Sequence, residues 1–207
     1  MGLFSTIVQA DKVATLFVNR LSSPITDFIW ESFSDKDLWF PLYLTIILLL
    51  FWKLGTRKAA LSILAILISI IICDQFGNIC KEYFERLRPC HDLWMRNHGL
   101  RIIESMGNLY GFYSAHAANA MGFAVCSSLI FNHLHGHTRD VRIYTAMITL
   151  WAVLVGISRI LVGKHYLGDV LAGFAVGVLI GWAAAKLSIL ICKTWRHTFS
   201  SHESSRL

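Results

Sequence analysis

One segment of the chain carries several groups that could bind and transfer a phosphate. It runs from Ser158 to Asp169 between two long apolar segments and contains Arg159 and His165. On a helix, His165 and Asp169 share a face, so the carboxylate can hold one imidazole nitrogen while the other stays free to attack. Arg159 provides a planar cation suited to phosphate oxygens, and Ser158 places a hydroxyl next to it. Such polarity at the mouth of a hydrophobic segment is typical of function.

Two further clusters contain groups that complement this segment. Lys81 and Arg88 are about two helical turns apart, so a helix that ends at Pro89 would place both cations on one side. Ser114 and His116 lie at the predicted start of another helix, where free N–H groups favour an anion. The three clusters together predict one phosphate site.

These side chains could perform phosphoryl transfer without a metal ion or cofactor. The predicted phosphate ligands, which neutralise charge as it develops, are Lys81, Arg88, Ser114 and Arg159. His165, oriented by Asp169, would attack phosphorus and form a phosphohistidine. His116 would protonate the leaving oxygen and then activate water. Ser158 and Ala115 are predicted to support the site.

Composition indicates an integral membrane protein. Of the 207 residues, 55% are hydrophobic and only 15% are charged, and the mean hydropathy is +0.54. The net charge of +6 would suggest nucleic acid in a soluble protein. In a membrane protein it favours anionic lipid head groups and a phosphate-bearing substrate instead, and no nucleic acid is expected.

Hydrophobic segments predict an all-α, polytopic membrane helix bundle. Five spanning helices are predicted, at about 38–52, 59–80 with a continuation towards Arg86, 114–132, 143–157 and 165–192. The first section, 3–21, mixes charges with apolar residues at helical spacing, which predicts a helix in the membrane interface. A short helix would follow near 28–33. The alternative is that this region forms a sixth spanning helix.

A single membrane domain accounts for the whole chain. It would consist of an interfacial section at 1–35, a helical core at 36–195 and a polar tail at 196–207. In the last predicted helix, Gly173, Gly177 and Gly181 recur every four residues and would allow a close helix contact. The sequence indicates no oligomeric state.

The helix count places all three clusters on one membrane face. Basic residues on the two sides are nearly balanced, but the short turns carry the excess once Lys81, Arg88 and Arg159 are set aside for chemistry. This places the short turns in the cytoplasm. We therefore expect a bacterial inner-membrane protein with its site on the periplasmic or outer face.

The three clusters resemble the signature of the type 2 phosphatidic acid phosphatase (PAP2) superfamily. The family pattern Lys, six residues, Arg-Pro is matched by Lys81, Arg88 and Pro89. The family pattern Ser-Arg, five residues, His, three residues, Asp is matched in full, and its residues here are Ser158, Arg159, His165 and Asp169. The resemblance implies the same roles that the residue chemistry suggests.

The third family pattern, Pro-Ser-Gly-His, is matched only in part. Ser114 and His116 are present, while Tyr113 and Ala115 replace the proline and the glycine. Alanine just after an N-cap is compatible with a helix, so Ala115 is expected to be tolerated. The lost proline removes a rigid lead-in to Ser114.

The resemblance implies a lipid phosphate phosphatase. Candidate substrates are polyprenyl pyrophosphate, phosphatidylglycerol phosphate, phosphatidic acid and the phosphates of lipid A. A lipid phosphotransferase would use the same groups with a different acceptor. A transporter or channel would be marked by buried charges, but here nearly all lie near helix ends. A vanadate-dependent haloperoxidase shares the motifs, but the spanning segments argue against it.

Other polar residues have simpler interpretations. Asp74 lies about two turns before Lys81 and could pair with it. Trp94 belongs to a predicted loop over the site and could touch a lipid head group. A group of histidines is predicted to lie in a solvated turn opposite the site and not to bind metal; it consists of His133, His135 and His137.

Overall fold

The computed structural model describes the backbone of residues 2–204 and the side chains of residues 2, 3 and 5–194. Residues 205–207 of the predicted polar tail lie outside this range. The helices are α1 Leu3–Asn19, α2 Asp27–Ser34, α3 Phe40–Leu54, α4 Thr56–Phe84, α5 Leu93–Asn97, α6 Ala115–His135, α7 Arg139–Leu161 and α8 Leu167–Ser204. Between residues 2 and 204 there is no strand, only an isolated bridge between Leu87 and Tyr110. The prediction of an all-α membrane bundle is confirmed.

Among the described residues, four helices are long and apolar enough to cross a membrane. They are α3 with the 3-10 turn before it (Asp37–Leu54), α4, α7, and α8 as far as Thr194. The fifth predicted span, α6, has 21 residues but is not apolar enough to be counted with these four. Small and polar residues lower its hydropathy, yet most of them are buried because α6 packs against α3, α4, α7 and α8. At about 1.5 Å per residue, α6 is still long enough to cross the bilayer's hydrocarbon core.

The glycine stripe brings α6 and α8 into close contact, as predicted. A Cβ atom added to Gly173, Gly177 or Gly181 would lie 2.4–2.6 Å from a backbone oxygen of α6 or of its N-cap. At the end of this contact that is next to Gly173, the N–H of Ser114 donates to the carbonyl of Asp169 at 3.0 Å. The contact therefore fixes the starts of the two helices beside each other.

The amino-terminal helix α1 turns its polar side towards the bundle. With 17 residues, α1 is not among the helices that are long and apolar enough to span, so the described structure does not support six spans. The exposed apolar side chains are Leu3, Ile7, Val13, Phe17 and the following Leu21. Buried Asn19, on the other side, donates hydrogen bonds of 3.0 Å to the carbonyls of Ile160 and Leu161. An apolar outer face of this kind agrees with the predicted interfacial location.

Two predicted helix ends near the site are wrong. Helix α4 ends at Phe84 and does not continue to Pro89, because Glu85 adopts a left-handed conformation with φ 45°. Helix α8 begins at Leu167, two residues after His165. Its first N–H groups, on Leu167 and Gly168, bond to side chains of α1, a contact between distant parts of the chain that local sequence does not reveal.

Candidate active site

A cavity of about 490 Å³ lies where α4, α6 and α7 meet the segment before α8. Five of the predicted site residues line it: Lys81, Arg88, Ala115, His116 and His165. The two histidines and two of the predicted cations therefore face one space. The rest of the wall combines aromatic and aliphatic side chains with polar ones, which are Ser34, Lys36, Asp74, Asn78, Asn108 and Asn119.

His165 and Asp169 form the predicted pair. Nδ1 of His165 lies 3.5 Å from Oδ2 of Asp169, and both side chains are buried. The same Oδ2 accepts a hydrogen bond of 3.1 Å from the N–H of Tyr166. His165 precedes α8 and Asp169 lies in its first turn, so the pair forms across a turn and not along a helix as predicted. With Nδ1 turned to the carboxylate, Nε2 is the nitrogen available to a substrate.

The environment of His165 keeps its imidazole neutral. Burial lowers its pKa well below the ordinary value of 6.5, and the positive charges of Arg159, Arg88 and Lys81 lower it further. A neutral imidazole has the free electron pair that a nucleophile needs.

Arg86 is a site residue that the sequence reasoning missed. Its Nη1 donates to Oδ1 of Asp169 at 2.6 Å, and its Nη2 donates to Oδ2 of Asp11 at 2.6 Å. Asp169 is thus held between an arginine and a histidine. Arg86 lies only two residues before Arg88, but the sequence analysis assigned it no role. The turn at Glu85, which changes the direction of the chain, was the unrecognised feature.

Lys81 and Arg88 reach the cavity by a different route from the one predicted. They do not share a helix face, because Arg88 lies beyond the end of α4. Its backbone N–H donates to the carbonyl of Leu109 at 3.0 Å, and its Nε to the carbonyl of Tyr110 at 3.2 Å. Lys81 donates to Asn78 at 3.2 Å, not to Asp74. Backbone pairing with the later loop therefore places the arginine.

Arg159 is buried, 5% exposed, and paired with an acid that the sequence analysis did not single out. Its Nη1 lies 3.3 Å from Oε1 of Glu104 and also donates to the hydroxyl of Ser34. Glu104 lies 3.9 Å from Nζ of Lys164, which donates to the carbonyl of Ser105 as well. Burial lowers the pKa of Lys164, and Glu104 opposes this change. One carboxylate therefore partly neutralises two cations beside the cavity.

Ser114 is the N-cap of α6, as predicted. Its Oγ accepts from the N–H of Ala117 at 3.4 Å, and the next residues, Ala115 and His116, face the cavity. Tyr113, which replaces the family's proline, is buried and donates to the carbonyl of Cys73 at 2.6 Å. This hydrogen bond fixes the chain before Ser114.

Ser158, Trp94 and the histidine group lie away from the cavity. The hydroxyl of Ser158 donates at 2.7 Å to Val155 in its own helix. Trp94 stacks on His98 with ring centres 3.9 Å apart, beside Lys12 of α1. His133 lies near the far end of α6, so the predicted separation of the histidine group from the site is observed.

Comparison with known proteins gives the family. The PAP2 superfamily profile matches residues 59–190, which is more than half of the chain. The chain belongs to the PAP2 superfamily. It is therefore an integral membrane hydrolase that removes phosphate from lipids.

Two curated PAP2 relatives match most of the chain. A lipid A 4'-phosphatase from Porphyromonas gingivalis is 30% identical over 91% of this chain and 77% of its own length. A lipid A 4'-phosphatase from Bacteroides thetaiotaomicron is 31% identical over 83% of this chain and 74% of its own length.

Solved PAP2 structures share the fold. A transmembrane PAP2-type phosphatidylglycerolphosphate phosphatase from Bacillus subtilis superimposes with a TM-score of 0.66 at 21% identity, over 88% of this chain and 86% of that one. LpxE from Aquifex aeolicus gives a TM-score of 0.60 at 22% identity, over 84% and 93% of the respective chains. The helical frame around the PAP2 motifs is thus shared.

Proposed function

We propose that this PAP2 protein hydrolyses the phosphate ester of a lipid A-type glycolipid through a phosphohistidine on His165. The observation that carries the proposal is one cavity lined by two histidines and three cations, with aromatic and amide groups beyond them. The roles of the individual side chains follow from their positions.

The first step is attack by Nε2 of His165 on phosphorus. A P–N bond forms while the P–O bond to the lipid breaks, and His116 donates its proton to the departing oxygen. Lys81, Arg88 and Arg159 stabilise the charge on the equatorial oxygens, and Asp169 stabilises the positive charge that forms on His165. The partly exposed cavity gives the lipid alcohol a way out.

The second step releases phosphate. His116, now neutral, takes a proton from a water molecule, which attacks phosphorus as the P–N bond breaks. Inorganic phosphate leaves and both histidines return to their starting states. A lipid alcohol in place of this water would make the enzyme a phosphotransferase. No metal is needed in either step.

The lining of the cavity supports a sugar phosphate as the reacting group. Trp151 contacts Trp39 and Tyr43 edge to face, with ring centres 5.6 Å and 6.0 Å apart. Aromatic faces of this kind pack against the apolar faces of sugar rings, and side-chain amides and carboxylates bind hydroxyl groups. The polar groups that could do so are Asp74, Asn78, Asn108 and Asn119. The names of the two curated relatives agree with this assignment.

The substrate proposal is tested by phosphate release from a lipid panel. The purified protein would be given lipid A, phosphatidylglycerol phosphate, phosphatidic acid and a polyprenyl pyrophosphate in matched mixed micelles. We expect kcat/KM to be at least about tenfold higher for lipid A, a difference of about 1.4 kcal/mol in transition-state binding. Equal or faster hydrolysis of another lipid would contradict the substrate assignment.

We also propose that the site faces the periplasm of a bacterial inner membrane. The excess of basic residues in the short turns supports this orientation. Right-side-out and inverted membrane vesicles given a water-soluble phosphate ester distinguish the two orientations. Hydrolysis by intact right-side-out vesicles is expected, and hydrolysis only by inverted vesicles would contradict the orientation.

A further inference from the structure

Helix α1 caps the start of the helix that carries Asp169. Oδ1 of Asp11 accepts from the N–H of Gly168 at 2.8 Å, and Oγ1 of Thr15 accepts from the N–H of Leu167 at 2.9 Å. The first N–H groups of a helix have no partner within that helix, so they need acceptors from elsewhere. The two hydrogen bonds therefore fix the first turn of α8.

Asp11 also belongs to a chain of side-chain contacts that ends at His165. The guanidinium of Arg86 lies between two carboxylates, with 2.6 Å from Nη2 to Oδ2 of Asp11 and 2.6 Å from Nη1 to Oδ1 of Asp169. The other oxygen of Asp169 lies 3.5 Å from Nδ1 of His165. The side chain of Asp11 is only 15% exposed and that of Arg86 only 25%, so solvent screens their attraction less than at an open surface.

The same guanidinium is fixed from a third side by Tyr166. Arg86 lies over the ring of Tyr166, 4.1 Å from its centre. The tyrosine hydroxyl donates to Asp92 at 2.8 Å, and Asp92 pairs with Lys12 of α1 at 2.6 Å. Adjacent residues of α1 thus hold both the arginine and the ring against which it packs.

We propose that Asp11 is a positioning residue for the phosphatase reaction. It does not line the cavity, but it fixes Arg86 and the first turn of α8, and these fix the carboxylate that orients His165. Without Asp11, Arg86 loses one of its two carboxylate partners and can move, and Asp169 moves with it. Small misplacements of reacting groups reduce rates by up to about 100-fold. This inference rests on the proposed role of His165 as the nucleophile.

The test is Asp11→Asn in the purified full-length protein. Asparagine keeps the size and an oxygen for Gly168 but cannot form the ion pair with Arg86. We expect kcat to fall by about tenfold or more while KM stays within about twofold of the parent. The matched control is Asp27→Asn, which breaks a 2.7 Å ion pair between α2 and Arg101 of the loop before α6, a pair that makes no contact with Asp169.

A double substitution separates positioning from general stability. If Asp11 acts through Asp169, adding Asp11→Asn to Asp169→Asn will cost less than about twofold in kcat. Three results would overturn the proposal. They are an equal loss of kcat when Asp11→Asn is added to the parent and to Asp169→Asn, a loss of kcat in Asp27→Asn equal to that in Asp11→Asn, and full kcat in Asp11→Asn.

If Asp11→Asn does not fold, Thr15→Val tests the same cap without a charge change and should lower kcat at constant KM. Unchanged kcat in Thr15→Val would also overturn the proposal. His165→Ala in the same assay tests the nucleophile separately, because full activity there would refute the proposed function instead.

Discussion

Glu104 lies against Arg159, with 3.3 Å between Oε1 and Nη1, and both bond to Ser34 in the wall of the cavity that is proposed to receive phosphate. It also lies within 3.9 Å of Lys164. A negative charge next to two cations weakens their attraction for an anion. Phosphate must therefore compete with this carboxylate or share the cations with it.

Replacing Glu104 by glutamine should strengthen the binding of anionic inhibitors. The amide keeps a hydrogen-bond acceptor for Arg159 but removes the charge, so we expect the inhibition constants of inorganic phosphate and vanadate to fall about three- to tenfold, about 1 kcal/mol. Steady-state inhibition measures this. Glu31→Gln, an exposed acid on α2, is the control. Weaker inhibition in Glu104→Gln would show that the carboxylate supports the site and does not compete with phosphate.

Replacing Arg88 by glutamine should reduce kcat/KM by about 100-fold or more. Arg88 lines the cavity, and hydrogen bonds from its backbone N–H and from its side-chain Nε to the loop at 109–110 fix its position. Loss of one preorganised group that stabilises transition-state charge typically costs 100- to 1,000-fold. Arg57→Gln, an exposed arginine at the other end of α4, should change kcat/KM less than about twofold. Similar losses in both variants would argue against a direct role for Arg88.

The acid limb of the kcat/KM profile should lie below pH 6.5. Burial and three nearby cations lower the pKa of His165, so the free enzyme keeps a neutral imidazole as the pH falls past the value at which an ordinary histidine is protonated. The profile reports groups of the free enzyme and free substrate, so the ionisation of the substrate phosphate would be measured separately by 31P NMR. An acid limb that is due to the enzyme and lies at or above pH 6.5 would contradict the described surroundings of His165.

Replacing Gly177 by alanine should destabilise the bundle. Alanine ordinarily stabilises a helix by about 1 kcal/mol relative to glycine. Here its Cβ would lie 2.4 Å from the carbonyl of Ala118, so α6 and α8 must separate, at a cost of about 1–3 kcal/mol. Thermal melting in detergent measures the change, with the exposed neighbour Val178→Ala as the control. A melting temperature at or above that of the parent would contradict the close contact.

The sequence was most informative where one local pattern determines the structure. Apolar segments predicted the helices, Ser114 was recognised as an N-cap, and the glycine stripe predicted the contact between α6 and α8. The spacing from His165 to Asp169 predicted their pairing, although helix α8 begins only after His165.

Contacts between distant segments could not be predicted in this way. Arg86 and Asp11 carry no local signal, since their importance depends on a left-handed turn at Glu85 and on α1 packing against α8. Glu104 lies in an irregular loop, where no periodicity indicates which way a side chain points. Lys81 and Arg88 were correctly assigned to one site for the wrong reason, because backbone pairing and not helical register places the arginine.

The most direct test of the proposed mechanism is to trap the phosphoenzyme. The protein would be mixed with 32P-labelled substrate for less than one turnover, quenched in alkaline denaturant, and digested. We expect an acid-labile, alkali-stable label on the peptide that contains His165, absent from His165→Ala, which should also release no phosphate. Phosphate release by His165→Ala at the rate of the parent would contradict the central claim that His165 is the nucleophile.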